Sequence, residues 1–362
     1  MGKDLLIATV LVLFGWAAAM ALVALALRWS QQIRARSKAR REEHWQPLVK
    51  DFVLEGRPLP PLRGRDLDTV LDIVLRYADT LRGPEADRII AFLEEDGYVA
   101  LALHDLRARS QWRRARAAER LGRMRSPRAV PFLINAMQDD RADVRVVAAR
   151  ALATIGDPRA IPSLAVALGD PSRWTASNVA SELIALGLDA VPTLQQIAWS
   201  GEPGEGGSHE AAVTAVRVLG DIRDPRAAPV LLQLLSGSSD LNMRARSAAA
   251  LGSLGGSRVA AALRAALDDP QWQVRAQAAS SLGRLGDVAS VGDLARTAED
   301  RSWWVRRNCA ESLAKLGEEG QRALTALTAS PDPYVRDRAC AVLEGLTLRE
   351  SRLGADECPG VL

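Results

Sequence analysis

Hydrophobic and polar positions divide this chain into three regimes. Residues 5–27, LLIATVLVLFGWAAAMALVALAL, form one apolar run without a charge. From 66 to 109 apolar residues recur at three- and four-residue spacing, in DLDTVLDIVLRYADTLRG (66–83), PEADRIIAFLEEDG (84–97) and YVALALHDLRAR (98–109), with turn residues between them. That spacing predicts three amphipathic helices. From about residue 110 the helical spacing continues inside a repeating unit, and the whole chain is expected to be all-α.

The repeat has a period near 31. RSPRAVPFLINAM (125–137), GDPRAIPSLAVAL (156–168) and RDPRAAPVLLQLL (223–235) share one pattern. A second pattern, an arginine followed by an Ala-rich apolar stretch, starts at Arg114, Arg145, Arg244, Arg275, Arg306 and Arg336, with degenerate copies around Ala176 and Val213. Each unit reads as two helices. The first, as in VRVVAARALATIG (144–156), stops at a glycine suited to a left-handed C′ position. The second opens on Asp157-Pro158 or Asp224-Pro225, an acceptor for the first amides followed by a fixed φ. The further prolines Pro131, Pro162 and Pro229 must then lie in its first turn. One hairpin of this kind cannot bury its own apolar faces, whereas a stack of about seven to eight buries a continuous core, so the expected fold is an α-solenoid.

These residues resemble HEAT repeats, in particular the short bacterial form grouped with the phycobilisome lyase HEAT-like repeats, over roughly residues 110–350. The resemblance implies an Asp closing one unit and an Arg opening the next. Asp139 with Arg145, Asp269 with Arg275, and Asp300 with Arg306 keep the six-residue offset and are read as a structural ladder between repeats. Asp170 is followed six residues later by Ala176, where a break in the ladder is expected.

The apolar run is long enough to cross a membrane. Its 23 residues would extend roughly 34 Å as a helix, against a hydrocarbon core of about 30 Å. Arg28, Arg34, Arg36, Lys38, Arg40 and Arg41 follow it, and only Lys3 precedes it among basic residues. By the positive-inside rule the expectation is one pass through a bacterial inner membrane, N-terminus outside and repeats in the cytoplasm. A cleaved signal peptide is the alternative, but the run exceeds a usual h-region and the arginines behind it resist export. The expected organisation is an anchor over 1–28, a basic juxtamembrane segment and linker over 29–65, a helical N-terminal cap over 66–109, repeats over 110–353 and a disordered tail over 354–362.

Charge removes one function class. Residues 1–50 hold eight of the 47 Lys/Arg and three of the 44 Asp/Glu, a net +5; residues 51–362 hold the other 39 and 41, a net −2. The basic excess belongs to the membrane flank, so a nucleic-acid partner is not expected. Cys309, Cys340 and Cys358 form no CxxC pair, and Cys309 and Cys340, 31 apart, are read as small core residues. No catalytic signature is present, so neither an enzyme, a metal, a cofactor nor a small-molecule ligand is expected.

Candidate binding residues remain. An aromatic stands two or three positions before the opening residue of many repeats: Trp112, Trp174, Trp272, Trp303, Trp304 and Tyr334. In one row they would make a partner surface; packing over a neighbouring turn is the other use of such rings. The repeat interval stretches around WSGEPGEGGSHE (199–210), read as a flexible acidic loop. The expected function is a membrane-tethered scaffold binding a protein partner in the assembly or regulation of a membrane complex. A lyase-like or chaperone-like protein handling a pigment or its acceptor is the second reading, and nucleic-acid binding the third.

Overall fold

A computed structural model describes residues 2–62, 65–81, 83–95, 97–201 and 207–356, with side chains over much of 2–35 and over 347–356 outside that description. The described residues are helical, with turns and short 3-10 segments and no strand among them. The chain divides into two units, residues 1–102 with 123–126, and residues 103–122 with 127–362.

In the first unit a single helix, α1 (Gly2–Glu55), runs through the apolar stretch and the basic segment alike. The stretch after 28 is therefore helix, and the non-helical connector is confined to residues 56–62, followed by 63–64, which lie outside the described residues. Among the described residues no helix is long and apolar enough to cross a membrane; most side chains of 5–27, including all of 5–15, fall outside them, and so does the span expected there. Trp16, Met20, Leu22, Val23, Leu25 and Trp29, which are described, are all exposed. α2 (Arg65–Thr80), α3 (Pro84–Glu95) and α4 (Tyr98–Asp105) follow the predicted amphipathic segments. Their apolar faces bury Val70, Ile73, Val74, Ile89 and Leu93 with Val49 and Val53 of α1. Phe52, Phe92 and Tyr98 stack in a row, centroids 4.8 and 5.2 Å apart, and with the prolines of 58–61 they line a cavity of about 550 Å³.

In the second unit first helices alternate with shorter second helices: α5 (Gln111–Met124), α6 (Val130–Ala136), α7 (Ala142–Ile155), α8 (Ile161–Val166), α9 (Arg173–Leu186), α10 (Val191–Ser200), α11 (His209–Ile222), α12 (Ala228–Gly237), α13 (Leu241–Leu254), α14 (Ser257–Ala265), α15 (Trp272–Leu285), α16 (Val291–Thr297), α17 (Trp303–Leu313), α18 (Gly317–Leu327) and α19 (Pro333–Asp356). These are seven hairpins and a closing helix. α19 continues past 353, where the tail was expected to begin; 357–362 lie outside the described residues.

Local chemistry sets the boundaries. α7 and α15 end on Gly156 and Gly286, both left-handed at φ 73° and 68°, a conformation glycine adopts without a Cβ penalty. Asp157 and Asp224 accept the amides of Arg159 and Arg226, so each second helix enters through a 3-10 turn, and Pro162 and Pro229 fall at the start of its α segment.

First helices of successive repeats meet across small residues. A Cβ placed on Gly122 or Gly220 would lie 2.7 and 2.8 Å from the backbone Cα of Ala151 and Ala250. Gly252 and Gly283 stand likewise against Ser281 and Ser312, whose buried hydroxyls donate back to the carbonyls of Ala248 and Ala279 at 2.8 and 2.9 Å. The hydroxyls are tolerated in the core because each has a carbonyl to bond, which offsets the cost of leaving water.

Candidate functional site

The recurring arginine occupies the same place in every unit that keeps it, four residues after the cap of the first helix. In four of these units its Nε and Nη2 form a fork on an aspartate 25 residues downstream. Arg114 donates to Asp139 at 2.6 and 2.7 Å, Arg145 to Asp170 at 2.7 and 2.9 Å, Arg244 to Asp269 at 2.9 and 3.2 Å, and Arg275 to Asp300 at 2.7 and 3.0 Å. The six-residue pairing expected from sequence is real in position but not in chemistry. Arg145, Arg275 and Arg306 reach Asp139, Asp269 and Asp300 only through Nη1, which donates to the backbone carbonyl at 3.0, 2.8 and 2.9 Å. Spacing alone pairs neighbours in sequence; the folding of each hairpin instead brings the carboxylate that closes a unit back to the arginine that opens it. Asp139, Asp269 and Asp300 thus each take one arginine on the side chain and pass the carbonyl to the next, whereas Asp170, followed by Ala176, takes only the first.

The rungs are largely buried. Burial raises the carboxyl of Asp300, but the Arg275 fork, the Ser302 amide and the charges of Arg275 and Arg306 together outweigh it and hold the group below its ordinary value. Asp139 is held low in the same way by Arg114 and the Arg141 amide against its own desolvation. Both groups are therefore carboxylates at neutral pH.

Two units lack the arginine. Ala176 and Ala212 take its place, and neither has an aspartate to receive: Gly201 lies 25 residues after the first, and Ser238 stands where the rung after the second would put its acid. At this gap a Cβ on Gly201 would collide with Ala212, so the helices close directly on each other. A surface cleft of about 540 Å³ opens beside it, with Arg173, Arg217, Arg246, His209 and Glu210 in its lining.

The six predicted aromatics all lie on the surface in the first turn of a first helix; Trp112 is 72% and Tyr334 69% exposed, and Trp272, the most covered, is 38% exposed. The packing use of these rings is therefore at most partial. Trp112, Trp174 and Trp272 stand on separate units with no ring contact to another aromatic among the described residues. Trp303 and Trp304 meet edge to face at 4.7 Å. Arg307 and Arg338 lie over Trp303 at 5.5 and 5.7 Å, and Arg306 lies over Tyr334 at 5.5 Å, within cation–π range. Together Trp303, Tyr334, Arg306, Arg307, Arg338 and Asp337 line a cleft of about 210 Å³. Arg307 and Arg338 were not singled out in the sequence, because the repeat pattern marks only the ladder arginine. Glu311 accepts from both, at 2.7 and 3.4 Å.

Cys309 is buried, and desolvation pushes its thiol well above the ordinary value. Cys340, expected in the core, is exposed instead, because it falls on the outer side of α19. Among the described residues no group of three His, Cys, Asp or Glu is placed to hold a metal.

Among curated proteins none matches the sequence. Solved structures do. Human deoxyhypusine hydroxylase in complex with glycerol is 25% identical, covering 85% of this chain and 97% of that one at a TM-score of 0.30. The CpcE–CpcF complex of phycocyanin lyase from Nostoc is 22% identical, covering 68% of this chain and 94% of that one at a TM-score of 0.32. The karyopherin Kap121p bound to RanGTP is 15% identical at a TM-score of 0.50, covering 83% of this chain, and this chain spans only 38% of that one, a likeness of fold alone. The HEAT-repeat model matches residues 99–187, 141–206, 205–273 and 261–344. With the fork-and-carbonyl ladder running through those same residues, the chain belongs to the HEAT-repeat family.

Proposed function

We propose that this protein is a non-enzymatic HEAT-repeat scaffold, held at a bacterial inner membrane by residues 5–27, which binds a protein partner through the aromatic edge of its first helices. The observation that carries the reading is the exposure of Trp112, Trp174, Trp272, Trp303, Trp304 and Tyr334 in the first turn of the first helices, at two adjacent positions of the repeat. Large exposed rings recurring in the same turn are the residues that become anchors when a partner covers them. Kap121p, which has this fold, is seen with RanGTP bound. For the tether, support comes from the uncharged run itself, its basic flank and the exposed apolar side chains from Trp16 to Trp29. An anchor raises the effective concentration of the repeats near membrane partners.

The test is crosslinking in intact cells followed by purification in mild detergent, comparing the full chain, a chain lacking residues 1–30, and a Trp303→Ala/Trp304→Ala variant. The expected result is one membrane protein recovered with the full chain and lost with either variant. Recovery of the same partner by all three, or of a coloured ligand in place of a protein, overturns the proposal.

A further inference from the structure

The ladder ends on an unfilled rung. Arg114, Arg145, Arg244 and Arg275 each fork onto the aspartate that closes their own unit. Where a unit closes without an aspartate, the chain twice gives up the arginine as well, at Ala176 and Ala212. Among the arginines that open a hairpin, Arg306 is the exception. Its Nη1 makes the usual bonds to the carbonyls of Asp300 and Arg301, at 2.9 and 3.1 Å. The position of the next rung is Ser330, whose carbonyl takes Arg336 at 2.7 Å, and Pro331 stands 25 residues on. Neither has a carboxylate, and among the described residues the Arg306 fork has no acid.

That fork opens into the cleft between Trp303 and Tyr334. Three guanidinium groups, of Arg306, Arg307 and Arg338, and one carboxylate, of Asp337, line the cleft, and Glu311, outside the lining, accepts from Arg307 and Arg338. The Nε of Arg338 is buried there without a hydrogen-bond partner. A planar fork held by backbone carbonyls is pre-organised for bidentate carboxylate, and four copies in the same chain bind one.

Building on the scaffold reading, we propose that the cleft of Trp303, Arg306 and Tyr334 docks an acidic segment of the partner protein, one Asp or Glu side chain completing the rung at Arg306 and an adjacent apolar or aromatic residue covering Trp303. The occupant is a peptide rather than a free anion because a carboxylate alone leaves the rings on either side uncovered.

The experiment selects short random peptides displayed on phage against the full-length detergent-purified protein. Enriched peptides are then synthesised and titrated by fluorescence anisotropy. The expected peptides carry Asp or Glu beside an apolar residue. Their affinity should fall about tenfold or more with Arg306→Gln, with Arg306→Lys, which keeps charge and loses the fork, and with Asp→Asn in the peptide. Arg246→Gln, in the other cleft, should leave it unchanged. Peptides that bind wild type and Arg306→Gln equally but are lost with Trp303→Ala/Trp304→Ala overturn the carboxylate rung and leave the scaffold standing. Peptides rich in Lys or Arg, displacement by phosphatidylglycerol vesicles, or no enrichment overturn the inference, and no enrichment overturns the scaffold surface with it. Arg306→Gln removes the Nη1 bonds to the carbonyls of Asp300 and Arg301 but no fork onto an acid, so it should still fold; a thermal transition lowered by no more than about 4 °C is the control.

Discussion

The two described cysteines differ by environment alone. Cys309 is sealed in the core of α17 with its thiol pushed up by burial, whereas Cys340 faces out on α19. In a Cys358→Ser background, maleimide should label Cys340 within minutes and Cys309 only after denaturation, as read by mass spectrometry. The ladder aspartates carry a pH signature. Asp139 and Asp300 have folded values below their unfolded value of about 3.9. A depressed carboxyl contributes its full stability above the unfolded value and loses it as pH falls through the folded one. Urea midpoints should therefore hold steady down to about pH 4 and drop below it, and Asp300→Asn should flatten that drop while lowering the plateau.

At the scale of the element, the fork separates arginines that look identical in sequence. Arg275→Gln strands the mostly buried Asp300 carboxylate and should cost about 2 kcal/mol in urea unfolding, whereas Arg306→Gln, with no acid to strand, should cost less than about 1 kcal/mol. The small-residue seam gives a second test. Gly220→Ala places a methyl against the Ala250 backbone, and overpacking of about 1–3 kcal/mol exceeds the roughly 1 kcal/mol that alanine returns in helix propensity. The transition should move to lower urea despite the better helix former. The six-residue Asp–Arg offset was legible in the chain; its partner at 25 was not, because the carboxylate arrives through helix stacking rather than along one helix.

Across the repeat unit the ladder is continuous from Arg114 to Asp170 and again from Arg244 to Arg306, and open between. Solenoid stability is close to a sum of unit and interface terms. Amide exchange in the native state should therefore be least protected in α9 to α11, where two rungs are missing, and most protected in α13 to α17. Uniform protection across the repeats would mean that the direct closure of Gly201 on Ala212 replaces what the rungs supply.

What the sequence determined by itself is whatever repeats or depends on near neighbours. The period near 31, the helix stops at Gly156 and Gly286, the Asp-Pro entries and the recurring aromatics follow from spacing and from caps that act within a few residues. The tertiary structure decided what depends on which unit lies beside which. It brought the carboxylate partner of each arginine from the far end of its own hairpin, passed the carbonyl bond to the neighbouring unit, turned Cys340 outward, and gathered Arg307 and Arg338 around Trp303. The physical reason is common to all of these: a helix fixes the direction of its side chains from local rules, but only stacking fixes what they meet.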